Sequence, residues 1–131
     1  IGIVAPPVDD GKGIVEAPKR DETDYDQIFT KVEIESSYPG GAAAWQRYLI
    51  KTLRYPQDAV DNEVQGAVVV QFIVDKAGVV SDVEAISGPQ ELRNEAVRVI
   101  KRSGQWTPAV QNGRKVKSYK KQPIVFRLET N

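Results

Sequence analysis

The chain has 131 residues, 40% of them hydrophobic, and its 18 basic and 18 acidic side chains leave a formal net charge of zero. That length suits one domain of ordinary size plus a tail, and no run approaches the roughly 18 apolar residues that a spanning helix requires. Histidine, cysteine and methionine are all absent, which removes the usual neutral-pH base and commonest metal ligand, along with thiol nucleophiles, thiolate metal sites and disulfides.

The opening, IGIVAPPVDD, turns polar and proline-rich at once and carries no signal-peptide pattern, so the start is expected to be a cut inside a longer polypeptide. Residues 1–27 hold Pro6, Pro7 and Pro18 among glycines and acids, with neither a helical nor a strand period. Such composition favours an extended, semi-rigid linker. Residues 28–41 follow as an extended arm or an extra strand. Ile28, Thr30, Val32 and Ile34 alternate against Phe29, Lys31, Glu33 and Glu35, and the turn signal Pro39-Gly40-Gly41 closes the run. Whether this arm pairs with a sheet is open at this point.

From residue 42 the chain reads as one domain, 42–131. AAAWQRYLIKTL places Trp45, Tyr48, Leu49 and Leu53 at helical spacing and must stop near Arg54, because Tyr55 precedes Pro56. Pro56 suits the first position of a short second helix, PQDAVDNE, with Ala59 and Val60 inward. GAVVVQFIVD is apolar on both faces, the mark of a central strand. Asp75-Lys76-Ala77-Gly78 turns it into a return strand, VVSDVEAIS, whose Asp82 and Glu84 meet water. Gly88-Pro89 opens a helix with Leu92, Ala96, Val99 and Ile100 on one stripe, ending at Ser103-Gly104. After a loop with the turn dipeptide Asn112-Gly113, VKSYKKQPIVFRLET forms the last strand. Pro123 lacks the N–H that a sheet interior needs, so this strand belongs at an edge. The fold is therefore α+β: a small three-stranded antiparallel sheet, β-β-α-β with order 2-1-3, packed on a helix and preceded by two short helices and the arm.

The chemistry expected of such a chain is binding, not catalysis. Asp9-Asp10, Asp82 with Glu84, and Glu91 with Glu95 are paired carboxylates, but no nucleophile or metal-ligand motif accompanies them. DKAG and QNGRK are hairpin-type turns, without the strand–loop–helix setting of a phosphate cradle. No cofactor is implied. Residues 1–40 hold four basic and nine acidic side chains, whereas residues 91–131 hold ten basic and three acidic. A basic C-terminal third can mark a nucleic-acid surface. It reads rather as the lysine-rich rim that protects an edge strand from unwanted pairing. Only Tyr119 interleaves the cations as a stacking group, so no nucleic-acid partner is expected. An exposed edge strand can instead accept an extended peptide as an added strand.

Seven blocks carry a family resemblance: YPGG at 38–41, RYPQDAV at 54–60, QGAVVVQFIVDKAGVVSDVEAISGP at 65–89, EAVRVIK at 95–101, WTP at 106–108, NGRKV at 112–116 and PIVFRL at 123–128. In this order and spacing the chain resembles the TonB C-terminal domain, in the subgroup with a YPGG or FPGG block. The resemblance implies the periplasmic domain of an energy transducer anchored in the inner membrane of Gram-negative bacteria. An N-terminal helix, absent from this sequence, would join it to a proton-driven motor complex. The domain would bind the TonB box of outer-membrane transporters by strand addition to its last strand, and pull on the transporter plug for active uptake.

The docking residues implied on the edge strand are Lys117, Tyr119, Lys120, Lys121, Pro123, Val125 and Arg127. Pairing is expected to concentrate on one side of Pro123, with Lys120 and Lys121 steering an acidic peptide. Arg54, Tyr55 and Pro56 match the tyrosine-proline region near which relatives contact the transporter. Arg54 replaces the glutamine of enterobacterial members, which bears on partner selectivity, and Arg93-Asn94 replaces a common leucine-aspartate. The alternative is a TonB-like interaction or sensory domain on another envelope protein, such as a membrane peptidase or signalling chain. A monomer and a strand-exchanged homodimer are both physically open, because an unprotected edge supports either.

Overall fold

The structure, a computed structural model, describes residues 21–129. Most of the expected N-terminal linker, residues 1–20, lies outside the described residues. The elements are α1 (Gly41–Thr52), α2 (Gln57–Asp61), β1 (Gly66–Val74), β2 (Val80–Ser87), α3 (Gln90–Lys101), β3 (Ala109–Gln111), β4 (Arg114–Val116) and β5 (Ser118–Phe126). The main sheet has the order β2-β1-β5, and both neighbours of β1 run antiparallel to it. This is the α+β architecture and strand order expected from the sequence.

β1 is central because it pairs with a strand on each side; one of its faces is fully covered and the other only in part, with Ala67 exposed and Val69 and Gln71 half-buried. Val68, Val70, Phe72 and Val74 are fully buried against the helices, while Ile73 on the opposite face is only 3% exposed. The turn after β1 is held by the Asp75 carboxylate, whose Oδ1 accepts the N–H groups of Ala77 and Val79, each at 2.9 Å. Gly78 follows with φ +85°, and a Cβ there would lie 2.1 Å from the Trp106 carbonyl oxygen. Only glycine permits that approach, and it lets the Trp106 N–H donate to the Gly78 carbonyl at 2.9 Å.

α3 buries Leu92, Ala96, Val99 and Ile100, the stripe that its sequence spacing sets at helical period. Trp106 closes the same core from the next loop. Its indole N–H donates to Ser103 Oγ (2.8 Å), and that hydroxyl donates to the Ile100 carbonyl (2.5 Å). Tyr38, Trp45, Tyr48 and Phe72 complete an aromatic group around Trp106, with neighbouring centroids 5.0–5.6 Å apart. The YPGG block thus builds structure. Tyr38 joins the aromatic group, and Gly40, at φ +89°, turns the chain into α1.

A carboxylate–guanidinium clamp joins α1 to α3. Glu95 receives Arg98 Nε on Oε1 (2.8 Å) and an Arg98 terminal nitrogen on Oε2 (2.7 Å). The Arg54 N–H also donates to Glu95 Oε2 (2.7 Å), and Arg98 reaches the Thr52 carbonyl at the end of α1 (2.7 Å). Burial alone would push the Glu95 carboxyl up, but Arg98 and the Arg54 N–H together hold it below its ordinary value.

Three local expectations differ. β3 and β4 form a separate two-stranded hairpin around Asn112-Gly113, where the sequence shows only the turn. Val60 is 38% exposed, so Ala59 alone anchors α2. The arm is no regular strand. It makes isolated bridges, and Phe29 is buried whereas Ile34, from the expected apolar face, is 60% exposed. Phe29 faces in because it fills a small second cluster with Ala109 and Val116, beside Tyr25 and Val32.

Candidate strand-docking edge

β5 pairs with β1 without a break, from Gly66↔Phe126 to Val74↔Ser118. Its outer side is defined by two bonds from the arm. The Tyr119 N–H donates to the Phe29 carbonyl (3.0 Å), and the Phe29 N–H donates to the Lys117 carbonyl (2.9 Å). Backbone direction alternates along a strand, so residues 117, 119, 121, 123 and 125 all present N–H and C=O outward. Pro123 therefore sits at a position that owes nothing to β1. Its missing donor is missing from the outer side alone, which is why the strand tolerates it.

From Lys121 to Val125 that outer side has no backbone partner among the described residues. The Pro123 carbonyl accepts only the neighbouring Gln122 side-chain amide, at 3.2 Å. The open groups are the N–H of Lys121 and Val125 and the carbonyls of residues 119 to 125 that point outward. Together they can hydrogen-bond an extended chain laid beside them. Tyr119, Lys121, Pro123 and Val125 share one face of the strand and are all exposed. Arg127 lies just beyond β5, also exposed, and Lys117 is half-buried at its start.

Lys120 does not belong with them. It shares the inner face with Ile124 and Phe126, and its Nζ lies 3.1 Å from Glu35 Oε1 of the arm. Lys121 is the cation left at mid-edge. Between arm and strand lies a cleft of about 640 Å³, lined by Thr30, Lys31, Val32, Glu35, Gln71, Tyr119 and Lys121.

The arm is tied mainly to the β3–β4 hairpin and the loop before it. Ile34 with Val110 and Ser37 with Thr107 each exchange two backbone bonds. The Glu33 N–H donates to Gln111 Oε1 (2.9 Å), and the Asn112 N–H donates to Glu33 Oε1 (2.8 Å). The Arg114 guanidinium stands 4.3 Å over the Tyr25 ring. Against these contacts, the hydroxyls of Ser36 and Ser118 are buried with no hydrogen-bond partner among the described residues. Each such hydroxyl costs about 1–3 kcal/mol relative to a solvated one. Sequence reading missed Phe29, Glu35 and Ser36 as residues of this site. The period-2 rule applied to Lys120, Ile124 and Phe126 would have put Lys120 on the inner face.

The tyrosine-proline region meets the far end of the same strand. The Tyr55 ring packs edge-on against Phe126 at 5.6 Å, and its hydroxyl donates to the Val64 carbonyl (2.5 Å). Burial pushes the phenol pKa up, so it remains a donor. Pro56 precedes α2 with φ −61°, and Arg54 is exposed while its backbone N–H is held by Glu95. Tyr55 is thus a packing residue that fixes the end of β5.

A family model described as Gram-negative bacterial TonB protein C-terminal matches residues 51–128. This chain belongs to that family. The match spans α2 through the end of β5 and leaves the arm outside. In fold the chain is similar to the TonB C-terminal domain of Helicobacter pylori, solved by NMR in solution, with a TM-score of 0.51 and 22% identity, covering 71% of this chain and 89% of that one. No curated protein matches the chain. Among the described residues of this TonB-family chain, no helix is long and apolar enough to cross a membrane.

Proposed function

We propose that this TonB-family chain is the periplasmic domain of an inner-membrane-anchored energy transducer. It receives the TonB box of outer-membrane transporters as an added strand on the outer edge of β5 and passes on proton-motive energy for uptake. The observation that carries this reading is the row of outward backbone groups from Lys121 to Val125, unpartnered among the described residues and flanked by exposed side chains. Main-chain bonds would supply affinity, and the alternate side chains Tyr119, Lys121, Pro123 and Val125 would supply selectivity. Pro123 offers no N–H, so the added ladder falters there. Lys121 steers acidic segments towards the edge, while Lys120 contributes less because Glu35 already neutralises it.

Immobilised chain should capture transporters from outer-membrane extracts, and N-terminal peptides of the captured transporters should bind with protection of the β5 amides. K121E should slow their association at low salt more than K120E does. An unchanged on-rate in K121E removes the steering role, and a failure to capture any transporter removes the reading.

A further inference from the structure

The proline-free half of the β5 edge is already occupied from within the chain. Phe29 takes the Tyr119 N–H and the Lys117 carbonyl, and Glu35 takes Lys120. An added strand finds open groups only from the Tyr119 carbonyl onward, where Pro123 cannot donate. We propose that the arm, residues 28–37, is a removable cover that competes in cis with an incoming extended strand for the docking edge. The proposal deepens the strand-addition reading above and rests on it.

Four features make the arm a stand-in for such a strand. It runs parallel to β5 at the Phe29↔Ser118 bridge. It exchanges backbone bonds with the outward groups of residues 117 and 119, the kind of bond strand addition uses. It seats one aromatic side chain, Phe29, against Ala109 and Val116. It also sets a carboxylate, that of Glu35, on Lys120. Lifting its Phe29 end breaks only two backbone bonds to β5, and part of that cost is offset as Ser36 and Ser118 regain hydration for hydroxyls that have no partner among the described residues. Past Phe29 it leaves the strand, opening the cleft beside Tyr119 and Lys121 where an invading strand could start. The displacing segment therefore has a defined chemistry: extended, with a bulky apolar side chain for the Phe29 seat and an acidic side chain for Lys120.

The probe is a fluorescein-labelled synthetic peptide with the sequence of residues 24–37, titrated into the full chain. The parent is compared with F29A, which empties the seat, with F29L, which refills it, and with I34P, which removes the exposed Ile34 donor to Val110 without touching the core. A cover closed about nine-tenths of the time lowers apparent affinity about tenfold. F29A and I34P should therefore expose the Tyr119 amide to faster hydrogen exchange and bind the peptide about tenfold tighter, while F29L follows the parent. Faster exchange without tighter binding overturns the proposal, as does a Tyr119 amide that stays protected in both opened variants. If the arm peptide binds the opened chains but peptides of captured transporters bind no form, the cover stands and the transporter reading falls.

Discussion

The two sides of β5 are built to different standards. The inner side is paired along its whole length with β1, and its side chains Ile124 and Phe126 are buried in the main core. The outer side has one bridge to an arm that is otherwise tied to the β3–β4 hairpin and the loop before it, two serine hydroxyls without a partner among the described residues, and an open stretch through a proline. Under the strand-addition proposal, one strand separates folding from recognition. Substitutions on the inner side should act on stability, and substitutions on the outer side should act on binding while leaving the fold in place.

The sharpest way to break this contrast is at the inner face. Phe126→Ala should cost about 3–5 kcal/mol of unfolding free energy, measured by denaturant titration, because a fully buried aromatic leaves a cavity. Glu95→Gln should cost about 2 kcal/mol at neutral pH, since it breaks a charge-assisted clamp whose carboxylate is 11% exposed. The folded-state carboxyl value of Glu95 is lowered, so its contribution is present above the unfolded carboxylate value. It is lost as pH falls through the folded one. The parent should therefore lose stability in acid more steeply than Glu95→Gln, as thermal melts across pH 2–5 (roughly the carboxylate range) would read.

The outer side should respond in binding. Pro123→Ala restores one outward donor, worth about 1 kcal/mol or roughly fivefold in affinity for captured transporter peptides, with the melting temperature little changed. The smallest effect belongs to Ser118→Ala. Removing an unpartnered buried hydroxyl should leave stability unchanged or raise it by about 1 kcal/mol. A clear loss there would mean that the hydroxyl is hydrogen-bonded in the folded protein.

Most of this fold is legible in the sequence because its elements are set by local periodicity. β1 shows its central place through Val68, Val70 and Phe72 on one face and Val69 and Ile73 on the other. α3 shows its stripe, and Pro123 announces an edge. The parts that stay hidden depend on distant partners. Phe29 is buried because Ala109 and Val116, some eighty residues on, offer it a seat, and nothing in the alternation of residues 28–35 reports that. β3 and β4 are three residues each, too short for a period to emerge around Asn112-Gly113. Lys120 looked equivalent to Lys121 as charge, yet the strand period puts them on opposite faces and gives one to Glu35.

In the strand-addition proposal, an extended segment joins the sheet at the outer edge of β5. Residue-resolved amide exchange of the full chain, with and without an N-terminal peptide from a captured transporter, tests it most directly. The amides of Lys121 and Val125 should slow on binding while those of β2 stay as they were. Protection along β2 instead, with Lys121 and Val125 exchanging as fast as in the free chain, would contradict it.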